Sequence, residues 1–173
     1  MKNGVFHVKL YAREKVFSFK GNFDIFNEYE EPVYHLEGEL DLLGRRKLHL
    51  IQDGRELAFI KERGAAWTTT INVFVGDKNT LTIRKKAWAF RPTYLIDGED
   101  WIVKGDFMHY NYEIRDASNR VVARIAKKLI SFSDKFEIDI IDPNANIVHI
   151  ISVVMTIHTD IQKTRAAGAS VSV

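Results

Sequence analysis

The sequence predicts a mainly β fold in which about twelve antiparallel strands enclose one hydrophobic helix near the C-terminus. The first observation is that apolar residues recur at every second position in short runs between residues 15 and 141, which is the spacing of one face of a strand. The second is that turn-forming pairs such as Asp53-Gly54 and Asp97-Gly98 separate these runs. The third is the mostly apolar run at 147–161, which follows the last predicted strand.

The strands are predicted from the runs between turns. The clearest run is 135–140, in which Phe136, Ile138 and Ile140 point to one face and three charged residues point to the other. We therefore expect one face of the sheet to be buried and the other to face water. The predicted strands lie near residues 16–19, 23–26, 33–41, 47–52, 56–62, 70–75, 79–88, 93–97, 100–107, 110–115, 120–130 and 134–141.

A helix is predicted at about 144–162. Asp142 and Pro143 suit its start, because a carboxylate accepts from free backbone amides and the fixed φ of proline fits the first turn. The alternative is a strand, since β-branched residues dominate the segment. A run of about 15 residues exceeds the usual strand of about five or six, which favours the helix. The polar residues of the segment recur at helical spacing, at His149, Ser152, Thr156 and Thr159 or Asp160. A helix that is apolar on its other sides must be enclosed, and the sheet is the available wall.

Length and composition indicate a single domain over residues 1–173, with strands at about 15–141, the helix, and a flexible tail at about 165–173. Hydrophobic residues make up 46% of the chain, which is typical of a folded protein. The absence of cysteine excludes a disulfide scaffold, a thiol nucleophile and thiolate metal sites. A net charge of +2 is too small to indicate a nucleic-acid partner.

The sequence predicts neither a membrane span nor a secretory leader. The apolar run at 147–161 is shorter than the roughly 20 residues that a spanning helix needs, and polar residues interrupt it. Residues 1–9 contain no apolar run of signal-peptide length. We therefore expect a cytoplasmic protein without a transmembrane span.

Three segments carry a resemblance to a known family. Residues 127–140 read Lys-Lys-Leu-Ile-Ser-Phe-Ser-Asp-Lys-Phe-Glu-Ile-Asp-Ile and precede the apolar helix, and residues 104–107 and 112–115 match middle hairpins of the family. Together with the order of the predicted elements over about 15–163, these segments make the sequence resemble the LURP-one-related family, and its small bacterial members in particular. This family lies within the tubby C-terminal-like and phospholipid scramblase superfamily. The resemblance implies a closed antiparallel barrel of about twelve strands around the helix.

The sequence predicts no metal site and no cofactor. Scramblases share this ancestry and carry the calcium segment Asp-x-Asp-x-Phe-x-Ile-x-Phe-Pro-x-Asp. Aligned on Phe136, this chain has Phe132 in place of the first aspartate and Pro143 in place of the last. His149 and His158 lie nine residues apart, which puts them on opposite faces of a helix, so they cannot chelate one ion together.

Catalytic motifs are also missing from the sequence. It contains no Gly-x-Ser-x-Gly, no phosphate-binding loop and no dinucleotide fingerprint. We therefore expect a non-enzymatic protein, with an enzyme that uses an unrecognised site as one alternative.

Basic clusters are the main candidates for function. Lysine and arginine donate charge-assisted hydrogen bonds to phosphate, and tubby domains are known for phosphoinositide contacts, so the resemblance implies an anionic lipid. The alternative is a solvated strand edge whose charges prevent edge pairing. A further cluster lies at 45–47. The predicted lipid-binding residues are Arg84, Lys85, Lys86, Lys127 and Lys128.

The predicted function is therefore a binding or scaffold module that docks on anionic or phosphoinositide lipid, or on a protein partner. It would be cytoplasmic and peripheral at the membrane. The second alternative is a scramblase-like protein that moves lipid, which requires the C-terminal helix to leave the sheet and enter the bilayer. Burial of the helix distinguishes these two hypotheses.

Overall fold

The computed structural model describes residues 7–14, 21–42, 44–63, 70–86, 93–128 and 135–169. In this part of the chain, twelve strands and a short 3-10 helix at Phe107–His109 precede one α-helix, α1, at Ile147–Ala169. The strands are β1 (Val8–Glu14), β2 (Phe23–Phe26), β3 (Pro32–Leu40), β4 (Arg46–Gln52), β5 (Arg55–Arg63), β6 (Thr70–Val75), β7 (Lys78–Lys86), β8 (Thr93–Asp97), β9 (Trp101–Asp106), β10 (Asn111–Arg115), β11 (Val121–Lys128) and β12 (Lys135–Ile140).

The twelve strands form a closed barrel in which each strand pairs with its neighbours along the chain. The pairs are antiparallel. β1 closes the barrel against β12, with a register from Val8↔Ile140 to Arg13↔Lys135. The predicted barrel with one C-terminal helix is therefore confirmed.

Alternation along the strands sends every second side chain into the barrel. In β12, Phe136, Ile138 and Ile140 are buried, as the sequence predicts. Each of the twelve strands contributes at least one side chain to a single core, which also includes the apolar side chains of α1. Burial of a large apolar side chain stabilises a fold by about 1.5–3 kcal/mol, so the barrel and the helix stabilise each other.

Helix α1 begins at Ile147 rather than near 144. The side-chain oxygen of Asn146 accepts hydrogen bonds from the backbone amides of Val148 (3.0 Å) and His149 (3.3 Å), which makes Asn146 the N-terminal cap. Asp142, which the sequence suggests as the cap, accepts instead from the amide of Asn144 within a preceding turn.

The side chains of α1 are buried at every position from 149 to 159. Two of its buried hydroxyl groups bond to carbonyls of the preceding turn. Ser152 donates to the carbonyl of Val148 (2.7 Å), and Thr159 donates to that of Thr156 (2.8 Å). The sheet therefore encloses the helix, as predicted. Among the described residues, no helix is long and apolar enough to cross a membrane.

The two ends of the predicted domain differ from the structure. β1 lies at Val8–Glu14, a segment where no strand is predicted, and the strand predicted at 16–19 lies outside the described residues. The inward side chain Ala12 is small and the outward neighbour Tyr11 is aromatic, so the apolar alternation is weak in this segment. α1 continues to Ala169, which makes residues 165–169 helical rather than part of a flexible tail.

Candidate functional site

The predicted basic residues lie at the C-terminal ends of β7 and β11. Because the barrel is an antiparallel meander, these strands run in the same direction and end at the same end of the barrel. Helix α1 reaches this end, since Lys85 contacts Asp160 and Lys127 lines a cavity together with Arg165. We call this end, formed by the ends of β7 and β11 and by residues 158–165, the mouth of the barrel.

The two basic clusters share the mouth but do not touch. Three strands separate β7 from β11. Since neighbouring strands lie about 4.8 Å apart, the clusters are roughly 19 Å apart along the sheet. They form two parts of one charged end, and their role in lipid binding stays a prediction.

Strand alternation places part of each cluster on the outer wall. Arg84 forms an exposed ion pair with Asp97 of β8 at 2.6 Å. Lys128 pairs with Glu137 of β12 at 3.0 Å. Lys86 is exposed. Neighbouring carboxylates therefore compensate two of these three outward charges.

Lys85 lies on the inner side of the mouth, where it joins the barrel to α1. Its ammonium group lies 2.7 Å from Oδ2 of Asp160, and the hydroxyl of Tyr94 donates to the same oxygen at 2.5 Å. Burial, followed by the negative charge of Asp160, raises the pKa of the Tyr94 phenol. The three side chains form one hydrogen-bonded group with a shared carboxylate.

The last turns of α1 make further polar contacts with the barrel. Lys163 forms an ion pair with Glu62 of β5. Gln162 donates to Oε2 of Glu14 at 2.8 Å and accepts from the guanidinium of Arg46 at 3.4 Å. These contacts to β1, β4 and β5 hold the polar end of the helix in place, which explains why α1 extends beyond the apolar run.

A larger and a smaller cavity open beside α1 at the mouth. The larger, of about 300 Å³, lies between β7, β8, the 3-10 helix and α1. Its charged lining consists of Lys85 and two carboxylates, Asp106 and Asp160. An excess of negative charge makes this cavity a poor site for an anion.

The smaller cavity, of about 100 Å³, has the opposite charge balance. Three cations line it, Lys127, Lys135 and Arg165, against one carboxylate, Glu14. His158 of α1 also lines this cavity. Lys135 pairs with Glu30 at 2.9 Å, so the charge balance at this cavity is less negative than at the larger one but not strongly positive.

His158 is enclosed by aromatic rings. Its imidazole centroid lies 5.3 Å from that of Tyr110 and 5.1 Å from that of Phe136, both nearly parallel to it. The ring of Phe23 meets it edge-on at 4.8 Å. Only 6% of His158 is exposed.

The surroundings of His158 disfavour its charged form. Burial lowers the pKa of the imidazole to about 4, and the positive charges of Arg165 and Arg46 lower it in the same direction. The imidazole is therefore neutral at physiological pH, in a region of positive potential.

Sequence reasoning did not identify His158, Asp160 or Arg165 as parts of a site. His158 was considered only as a metal ligand, and no local motif marks the other two. Arg46 belongs to the basic cluster at 45–47, which the sequence shows but which is not among the predicted lipid-binding residues. Within the described ranges, no group of three or more metal-ligating side chains is arranged to hold an ion. Phe132 of the calcium comparison lies outside those ranges.

Comparisons with known proteins agree with this architecture. The chain is 26% identical over 133 residues to a Bacillus subtilis protein named YxjI, covering 77% of this chain and 82% of that protein. Its fold is similar to the X-ray structure of an Arabidopsis thaliana protein, with a TM-score of 0.64, 16% identity, and coverage of 90% of this chain and 91% of that one. The LURP-one-related family model matches residues 8–158. That match spans the barrel and the buried part of α1, so the chain belongs to the LURP-one-related family.

Proposed function

We propose that the protein is a non-enzymatic binding module whose barrel mouth docks on an anionic membrane surface from the cytoplasmic side. The observation that carries the proposal is the gathering of basic side chains from β4, β7, β11 and α1 at one end of the barrel. Each cation near an anionic membrane surface contributes about 1 kcal/mol to binding. The basic side chains at the mouth include Arg46, Arg84, Lys85, Lys86, Lys127, Lys128, Lys135, Lys163 and Arg165.

The carboxylates beside these cations determine which of them contribute most to membrane binding. Lys85 and Lys163 each pair with a carboxylate, so their charges are largely compensated. Arg165 instead donates to the backbone carbonyl of Met108 at 2.5 Å, and among the described residues no carboxylate pairs with its guanidinium. Lys86 is exposed. We expect Lys86 and Arg165 to supply most of the attraction.

The position of α1 favours a binding module over a lipid-moving protein. The scramblase-like alternative requires α1 to leave the barrel and enter a bilayer. Its side chains from 149 to 159 are buried against the twelve strands. Removing the helix would expose both its own apolar surface and the inner wall of the barrel, which is strongly unfavourable.

The shifted pKa values at the mouth have a structural cause. Burial is the largest cause of the raised pKa values of Tyr94 and Tyr112 and of the lowered pKa of His158. These groups are enclosed phenols and one enclosed imidazole, each explained by its place in the core.

Vesicle flotation tests the proposal. We expect the protein to float with phosphatidylcholine vesicles that contain a phosphoinositide, and to remain behind with phosphatidylcholine alone. Binding should weaken as salt rises, because exposed charges are screened over about 8 Å at physiological ionic strength. The double variant Lys86→Gln with Arg165→Gln should lose most of the flotation.

A matched control removes two positive charges from the opposite end of the barrel. Lys78 begins β7 and Arg55 begins β5, and both are exposed. The double variant Lys78→Gln with Arg55→Gln should float like the original protein. If the original protein does not float even at low salt, the lipid proposal is wrong and a protein partner becomes the better hypothesis.

A further inference from the structure

Two turns of the barrel share one hydrogen-bond pattern. Residues 41–45 join β3 to β4 and read Asp-Leu-Leu-Gly-Arg, and residues 116–120 join β10 to β11 and read Asp-Ala-Ser-Asn-Arg. In both turns the aspartate carboxylate accepts from the backbone amide (2.9 Å) and from Nε (2.7 Å) of the arginine four residues later. The amide of the aspartate donates to the carbonyl of the same arginine, at 3.0 Å in both. The fourth residue has a positive φ in both, +71° at Gly44 and +62° at Asn119.

The comparison shows that the turn at 41–45 does not need a leucine at its second position. That position holds Leu42 in the first turn and Ala117 in the second, and both residues are exposed. Leu42 is fully exposed, so it adds no buried surface to the fold. Single exposed apolar residues are common on protein surfaces, and the place of Leu42 in the barrel therefore decides what it indicates.

The turn at 41–45 lies at the mouth. β3 runs in the same direction as β7 and β11 in the antiparallel meander, so it ends at the same end of the barrel. Arg46, which follows the turn, donates to Gln162 of α1. The connection from β9 to β10 lies at the mouth too, since the carbonyl of Met108 accepts from Arg165. The exposed apolar side chains of these two connections, which we call the apolar tips, are Leu40, Leu42 and Met108.

The apolar tips flank the mouth on opposite sides. β3 and β9 are six strands apart in the ring of twelve, which places their ends across the barrel from each other. With strands about 4.8 Å apart, the mouth is on the order of 20 Å wide. A partner that contacts both sides therefore has to be broad and flat at this scale, as a bilayer surface is.

The charges near the tips favour an anionic bilayer. The guanidinium of Arg165 lies beside Met108, to whose carbonyl it donates. The other large apolar residues exposed in the described ranges are Tyr29 and Val75. Tyr29 lies in the acidic turn Asn-Glu-Tyr-Glu-Glu at 27–31, and Val75 ends β6 before the turn Gly-Asp. An anionic surface would thus be attracted to the apolar tips and repelled from Tyr29.

We propose that the apolar tips insert into the hydrocarbon boundary of an anionic bilayer while the basic side chains of the mouth contact the headgroups. This inference rests on the proposed function, to which it adds the residues that enter the bilayer. Screening by salt weakens the attraction between charges, whereas burial of apolar surface does not depend on it. Part of the binding should therefore survive at high salt.

A fluorescent label tests insertion directly. The chain contains no cysteine, so a single introduced cysteine can carry an environment-sensitive nitrobenzoxadiazole group. Leu42→Cys and Ala117→Cys place this group on the same kind of turn at opposite ends of the barrel. With phosphatidylcholine vesicles that contain a phosphoinositide, emission from position 42 should shift to the blue and be quenched by doxyl-labelled lipid. Emission from position 117 should not change.

Unlabelled variants measure how much the leucine contributes. Leu42→Ala copies the residue of the turn at 116–120, so it should keep the turn and the melting temperature. We expect vesicle binding to weaken by about fivefold or more at both low and high salt, because the apolar surface that leucine has beyond alanine is no longer buried. Ala117→Leu, the reciprocal change at the far end of the barrel, should leave binding unchanged.

Failure of this inference is distinguishable from failure of the proposed function. Flotation in which the label at position 42 stays in water would leave the proposed function standing and overturn insertion. Insertion of that label into phosphatidylcholine alone would support the apolar tips and contradict the need for an anionic lipid. An equal response from position 117 would overturn the inference, since neither end would be preferred. Absence of both flotation and label response overturns both proposals.

Discussion

The ammonium group of Lys85 on β7 lies 2.7 Å from the carboxylate of Asp160 on α1, and this ion pair joins the barrel wall to the end of its enclosed helix. Less than a third of each side chain is exposed, at 31% and 22%. The hydroxyl of Tyr94 bonds to the same carboxylate. A single carboxylate therefore compensates one mouth cation and satisfies one buried phenol.

Replacement of Asp160 by asparagine should destabilise the protein. The variant leaves the Lys85 ammonium partly buried without its anion and weakens the bond from Tyr94. We expect the free energy of unfolding to fall by about 1–3 kcal/mol, which is the usual range for hydrogen bonds to charged groups. Urea denaturation measures this fall in the free energy of unfolding.

The control for Asp160→Asn is Asp97→Asn. Asp97 pairs with Arg84 at the outer wall, where the two side chains are 48% and 55% exposed. Exposed pairs contribute about 0–1 kcal/mol, so this control should change little. Equal losses for both variants would contradict the structural role of Asp160.

A second prediction follows from the burial of α1, which should not tolerate a charged side chain. Ile151→Asp and Val154→Asp each place a carboxylate at a position with no exposed surface. An ionised carboxylate in an apolar core costs several kcal/mol, comparable to the whole stability of a domain. Both variants should fail to give folded monomer. Ala166→Asp is the matched control, because Ala166 is exposed on the same helix, and it should fold. A folded Val154→Asp with an unchanged melting temperature would show that α1 is not enclosed.

The core of this fold could be predicted from sequence because its signal is local and repeated. Inward residues such as Ile138 and Ile140 recur with the same period in strand after strand, and the helix segment breaks that period for long enough to be recognised. β1 was missed where a small inward residue, Ala12, weakens the alternation.

The candidate site could be predicted only in part. The basic residues at the ends of β7 and β11 are visible as local clusters in the sequence. Their partners are distant in the chain, since Lys85 and Asp160 are 75 positions apart. Such pairings depend on where the barrel brings the strand ends relative to the helix. The enclosure of His158 by aromatic rings depends on the same three-dimensional arrangement.

The third prediction concerns Gly105 in β9, where a side chain should destabilise the protein. Its φ of +146° lies in a region that side chains rarely adopt, and a Cβ atom would lie 2.5 Å from the carbonyl oxygen of Asn111 and from Cα of Tyr112. Both contacts are with the backbone of β10, which cannot move without breaking the ladder. We expect Gly105→Ala to cost about 3 kcal/mol or more, the upper range for strained backbone.

Gly54→Ala is the control for this backbone effect. Gly54 also has a positive φ, of +75°, but no atom lies within 4 Å of the added Cβ. The left-handed conformation alone costs roughly 1–2 kcal/mol for an alanine. The further loss at Gly105, measured by thermal or urea unfolding, therefore reports its more extreme φ together with the clash with β10. Equal losses would mean that β9 and β10 are not packed as described.

The fourth prediction concerns stability against pH. In the unfolded chain the imidazole pKa is about 6.5, whereas burial lowers the pKa of folded His158 to about 4. Between these values the unfolded chain binds more protons than the folded one, so stability falls as pH falls. From pH 6.5 to 4.5 the loss due to His158 is about 2 kcal/mol.

The variant His158→Phe should lack this contribution, so its stability should fall about 2 kcal/mol less than that of the original protein over the same interval. The window stops at pH 4.5 because carboxylates with lowered pKa values, such as Asp106, Asp116 and Glu113, lose most of their contribution below that pH, and both proteins contain them. Urea midpoints at each pH measure the difference. Parallel pH profiles for the original protein and His158→Phe would show that the imidazole is not buried in its neutral form.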